Sequence, residues 1–147
     1  LITQAVLFSF HISGAGYPYH HCFTGRTLDL FRYDSTWREF MALTYQPLDA
    51  VRIAFWRLFY PVGLLEQHQA AYLQFLRSHT DLALTWLTQP RNSDGLSFLL
   101  SQTEPEKDAL RRACTLARTL SYTQGAAILL EALHQRFPAA QTPAFDL

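Results

Sequence analysis

Between residues 64 and 89, Leu65, Tyr72, His79 and Trp86 recur every seven positions, with Phe75 and Leu82 set between them. A strand sends alternate side chains to opposite faces and cannot gather such a series on one side, whereas an α-helix turns it into a continuous stripe. The spacing predicts a single amphipathic helix of about 25 residues, roughly 38 Å long at 1.5 Å per residue. Pro90, which has no N–H to give the next turn, ends it.

Similar punctuation sets out the rest of the chain. Thr36 and Glu39 have the spacing of a capping box, predicting a helix from about there to Tyr45. Pro47 suits the first turn of a second helix over residues 48–60, which Pro61 stops. That helix carries Val51, Ile53, Ala54, Phe55, Trp56, Leu58, Phe59 and Tyr60 around most of its circumference, with Arg52 and Arg57 as the main polar interruptions, so it is expected to be buried on more than one side. Asn92 or Ser93 caps a short helix bearing Leu96, Phe98, Leu99 and Leu100. Thr103 and Glu106 repeat the capping-box spacing, with Pro105 between them, and open a helix running to about Tyr122. Gly125 interrupts the pattern, and a last helix carrying Ile128, Leu129, Leu133 and Phe137 stops at Pro138. Upstream, Val6, Phe8, Phe10 and Ile12 alternate as in a strand over residues 2–12, and Leu28, Leu30 and Phe31 suit a returning strand. The reading is a mainly all-α bundle or short helical array of about six helices with a small N-terminal β element. It is taken as one domain: an N-terminal strand and loop over 1–33, a helical body over 34–138 and a tail over 139–147.

Composition bears on what surrounds such a fold. Apolar residues make up 49% of the chain and Asp, Glu, Lys and Arg only 16%, against about 25% charged in soluble domains. Few ionic groups are left to keep the helical faces in water, which points to a protein partner or a homo-oligomer. Twelve basic and twelve acidic residues cancel, so no long-range field draws the chain to nucleic acid or to an anionic membrane. Apolar runs fall short of the roughly 20 residues of a membrane helix, and no basic stretch leads into a signal-peptide core, so a cytoplasmic location is expected. Cys22 and Cys114 are too few and too far apart for a disulfide framework or a zinc cluster, and are read as reduced core thiols.

Residues 109–138 resemble a single tetratricopeptide-type helical hairpin. Ala113 stands at that repeat's small position in the first helix, Leu116 at the apolar position three further on, and Tyr122 at the aromatic position before the second helix. Gly125, Leu129, Ala132 and Leu133 match the second helix, and Pro138 closes the unit. Ala109 replaces the repeat's Trp, Arg112 stands where Leu is usual, and Pro138 comes one residue late. The resemblance implies an antiparallel helix pair of the kind that stacks into peptide-binding arrays. No second copy shows in the sequence.

Catalytic signals are sparse. His20, His21 and Cys22 form the one cluster of metal-ligand types, and in an extended segment His20 and Cys22 share a side, making them candidate ligands without the paired spacing of a structural zinc site. His68 and His79, about 16 Å apart along the expected long helix, cannot share an ion. Gly14 and Gly16 lack the third glycine or the lysine of a phosphate loop, and no Ser or Cys sits in a nucleophile elbow. No cofactor is expected. The residues instead suggest a non-catalytic interaction or scaffold subunit, with Tyr17, Tyr19, Trp56, Tyr60, Tyr72 and Trp86 as anchors and Arg52 and Arg57 as orienting contacts. Two alternatives are a small enzyme or ligand-binding domain with an aromatic-lined pocket, and a nucleic-acid-associated subunit with its arginines along one ridge.

Overall fold

The computed structural model describes residues 23–24, 27–42 and 46–138. The strand expected over residues 2–12 and the tail over 139–147 lie outside them. The described residues are predominantly helical, as the apolar periodicities require. Contacts divide the chain between Ser78 and His79 into two compact units.

In the first unit, β1 (Phe23–Thr24) pairs antiparallel with β2 (Thr27–Leu28), Phe23 opposite Leu28. Leu30 and Phe31 do not continue β2 as expected; they open helix α1 (Leu30–Ser35). Asp29 is the reason: its carboxylate accepts from the Arg32 N–H at 3.1 Å and caps the helix. Thr36 ends α1 and, as the sequence predicts, stands immediately before the next helix, its carbonyl accepting from the Phe40 N–H at 2.9 Å. Its N–H goes to the Arg32 and Tyr33 carbonyls and its hydroxyl donates to the Arg32 carbonyl at 2.6 Å, so the N–H that the Glu39 side chain would cap is already taken. Helix α2 (Trp37–Ala42) follows directly. Helix α3 (Pro47–Phe59) has Pro47 in its first turn, as the sequence predicts, and packs against α4 (Glu66–Ser78). Between them Gly63 takes φ +64° in a turn closed from the Leu64 N–H to the Pro61 carbonyl, a conformation that an L side chain resists.

The long helix predicted over residues 64–89 is broken at His79, whose φ −128° and ψ 36° are not helical, and α5 (Thr80–Thr88) begins the second unit. Ser78, His79 and Thr80 are three mediocre helix formers in a row, and the Ser78 hydroxyl donates to the Gln74 carbonyl, both of which weaken the helix there.

The second unit continues with α6 (Ser93–Gln102), α7 (Lys107–Thr119) and α8 (Thr123–Arg136). Asn92 caps α6 as expected, its side chain accepting from the Gly95 N–H at 2.9 Å. Thr103 repeats the behaviour of Thr36: N–H and hydroxyl both go to the Leu99 carbonyl, so it ends α6, while α7 starts at Lys107 and stops at Thr119. Gly125 does not interrupt the last helix; it lies within the first turn of α8.

Candidate functional site

Helices α5 and α6 form one hairpin and α7 and α8 a second, and each helix also packs on its counterpart, α5 on α7 and α6 on α8. The turns of the two hairpins match at a spacing of thirty residues, although α5 and α6 have 9 and 10 residues against 13 and 14 in α7 and α8. Arg91 and Ser121 hold the same left-handed conformation, φ 61° and 58°. Each is flanked by the two hydrogen bonds of a Schellman motif: Arg91 N–H to the Thr88 carbonyl with Asn92 N–H to Leu87, and Ser121 N–H to Arg118 with Tyr122 N–H to Ala117. Buried Ala83 and Ala113 correspond, as do Leu87 and Ala117, Gly95 and Gly125, and Leu99 and Leu129. The duplication escaped the sequence reading because the equivalent turns carry Arg and Ser where glycine would have announced them, and only small or apolar character recurs elsewhere.

Side chains lock this stack. The Tyr122 hydroxyl bonds to the Ser93 hydroxyl at the start of α6, Arg91 donates to the Leu120 carbonyl at 2.6 Å, and Arg112 of α7 pairs with Asp81 of α5. Arg136 donates to the Thr103 carbonyl at 3.0 Å and to the Leu100 carbonyl, satisfying the end of α6. Trp86 on α5 and Leu116 on α7, equivalent positions in the two hairpins, are half-buried.

In the first unit the polar centre is a buried network joining three helices. Arg57 of α3 donates Nε to Asp34 Oδ1 at 2.8 Å and Nη2 to Oδ2 at 2.9 Å, a bidentate pair with both residues essentially inaccessible. Its Nη1 donates to the Tyr60 carbonyl at 2.7 Å and Nη2 also to Val62 at 2.8 Å, so the same guanidinium satisfies the chain leaving its own helix. The Tyr72 hydroxyl of α4 donates to Asp34 Oδ1 at 2.7 Å. Expected as surface contacts, Arg57 and Tyr72 are instead wholly buried and bound within the unit. The signal for Arg57 was available: an Arg between Trp56 and Leu58, on a helix apolar nearly all round, has no wet face to reach.

Among the other candidates, Arg52 is half-buried and lies 3.9 Å from Asp49. Trp56 and Tyr60 are half-buried in a ladder of rings on α3, stacked on each other with centroids 5.7 Å apart, with Phe55 and Phe59 as neighbours. Tyr17, Tyr19, His20 and Cys22 lie outside the described residues. Phe31 and Val62 are the most exposed large apolar side chains described, at 60% and 61%; the sequence reading placed Phe31 in a strand and did not single out Val62.

Beside the network is a cleft of about 460 Å³, lined in part by Asp34, Ser35, Trp37, Arg38, Gln67 and His68. Trp37 is held by Phe40 and by the edges of Tyr72 and Phe75. Arg38 is exposed and makes no ion pair among the described residues, and His68 Nε2 is buried without a hydrogen-bond partner among them. No three described His, Cys, Asp or Glu side chains converge as a metal set, and no described helix is long and apolar enough to cross a membrane.

Compared with known proteins, the chain matches no family model, no curated protein and no solved structure.

Proposed function

We propose that this protein is a non-catalytic interaction or scaffold subunit whose second unit is a short array of tetratricopeptide-like helical hairpins. The observation that carries the reading is the thirty-residue duplication. Two equivalent hairpins stacked helix on helix bury their cores against each other, which is how repeat architectures build an extended surface from a small unit. Half-buried Trp86 and Leu116 fall at equivalent places on the first helix of each hairpin, giving that layer a recurring apolar position. Trp56 and Tyr60 on α3 supply aromatic anchors in the first unit. Arginine contributes less, because Arg57, Arg91, Arg112 and Arg136 bind groups of their own unit.

The test compares the tagged wild-type chain with Trp86→Glu and Trp56→Glu variants, purified from the cells that make it and quantified by mass spectrometry. One protein set, or untagged copies of the same chain, should be captured by the wild type and lost in at least one variant that still unfolds cooperatively. A wild-type chain that elutes as a monomer and captures only what an unrelated tagged protein captures would count against the reading.

A further inference from the structure

We propose that the cleft between α2 and α4 is a binding site for a small planar organic carboxylate. The inference is independent of the scaffold reading, which concerns other surfaces. At about 460 Å³ the cleft falls in the size range of small-molecule sites. Its charge decides the class of occupant. Asp34 contributes a carboxylate to the lining, but both its oxygens accept hydrogen bonds and Arg57 offsets its charge at 2.8 Å. Among the described residues, the guanidinium of Arg38 is left as the uncompensated charge at the cleft, with the Ser35 hydroxyl and the Gln67 amide as neutral groups around it.

A guanidinium presents two parallel N–H groups that match the two oxygens of a carboxylate. A phosphate monoester would set nearly two negative charges against one arginine, close to the Asp34 carboxylate, and fits less well. Trp37, which packs on Phe40, Tyr72 and Phe75 and also lines the cleft, offers part of an indole as the wall for a flat ring. His68 supplies a second polar group. Its Nε2 is buried without a hydrogen-bond partner among the described residues, so a small turn of the imidazole toward a bound oxygen regains a hydrogen bond with no further desolvation of that atom. Side-chain adjustments of that size are common on binding.

Three probes with one ring and different charge test the assignment: benzoate, neutral benzamide and cationic benzylamine, titrated calorimetrically into the full chain. Benzoate is expected to bind with a Kd of about 1 mM or tighter, about tenfold or more ahead of benzamide, with benzylamine weakest. Arg38→Gln should level benzoate with benzamide. His68→Phe should weaken benzoate while raising Tm, because it removes an unpaired buried nitrogen and keeps the ring. The proposal is overturned if benzoate does not bind, if the three probes bind alike, if benzylamine leads, or if Arg38→Gln keeps the preference. Tighter binding of phenyl phosphate than of benzoate overturns the carboxylate assignment.

Discussion

Arg57 and Asp34, twenty-three residues apart in the chain, meet in a bidentate pair at 2.8 and 2.9 Å with almost no access to water. Desolvating two charges offsets much of their attraction, so the pair is better understood as fixing which helices meet than as a large source of stability. Removing one partner is a different matter, because the survivor is left charged and buried. Arg57→Met or Asp34→Leu should each destabilise by about 3–5 kcal/mol, and the double replacement by clearly less than the sum. Tyr72→Phe, which removes one hydrogen bond to the carboxylate, should cost about 1.5–3 kcal/mol. Urea unfolding followed by tryptophan fluorescence measures all four; additive single effects would mean that the three side chains do not act as one network.

Ser121 adopts a left-handed conformation at φ 58° in an exposed turn, and its hydroxyl makes no hydrogen bond among the described residues. An L side chain there costs about 1–2 kcal/mol, of which the extra freedom of glycine in the unfolded chain returns part. Ser121→Gly should therefore stabilise by about 0.5–1 kcal/mol, seen as a higher denaturation midpoint at unchanged slope. Arg91→Gly in the equivalent turn should gain less, since Arg91 also donates to the Leu120 carbonyl.

How far the fold was legible follows from which interactions are local. Pro47 opening α3 and Asn92 capping α6 were readable because each depends on neighbours within three residues. Thr103 misled where Thr36 did not: threonine followed three places on by glutamate reads as a helix start, and Trp37 does open α2, yet Thr103 only closes the preceding helix by bonding to a carbonyl four residues back. A hydroxyl can face either way, and the sequence does not record which backbone partner is nearer. The seven-residue spacing did not reveal the break at His79 because it continues in the sequence to Trp86, although α5 buries Ala83, Leu84 and Leu87 and leaves Leu82 and Trp86 half-buried. Of the site, Arg57 was flagged without its role, since Asp34 lies a full helix away in sequence. The cleft went unforeseen because its lining comes from two segments about thirty residues apart.

Cys114 is buried in α7, and burial pushes its thiol pKa up, partly opposed by the nearby Arg118 charge. A raised folded-state pKa means that the folded chain keeps this proton longer than the unfolded chain. The corresponding stability is thus fully present below the unfolded thiol value, about 8.5, and is lost as pH rises through the folded one. In a Cys22→Ser background, stability should fall more steeply above pH 8.5 than in the same background carrying Cys114→Ala. Iodoacetamide should modify Cys114 at pH 8 at least about tenfold more slowly in the folded protein than in urea, because the thiolate is the reactive form. Equal labelling rates would show that the thiol is open to solvent.

Gly125 and Tyr122 carry the sharpest test of the duplicated turn. A Cβ built on Gly125 would stand well inside van der Waals contact with the Tyr122 ring, and that ring is held at its far end by the Ser93 hydroxyl. Two effects compete in Gly125→Ala. Alanine improves the helix by about 1 kcal/mol, while forcing a methyl into a packed contact typically costs about 1–3 kcal/mol. With the ring pinned, overpacking should win and the variant should lose about 1 kcal/mol or more. In a Tyr122→Ala background the obstruction is gone, so the same Gly125→Ala change should become stabilising by up to about 1 kcal/mol. A change of sign between the two backgrounds is what close packing of this glycine requires; the same effect in both would mean that its place in the first turn of α8, and not the ring above it, explains the residue.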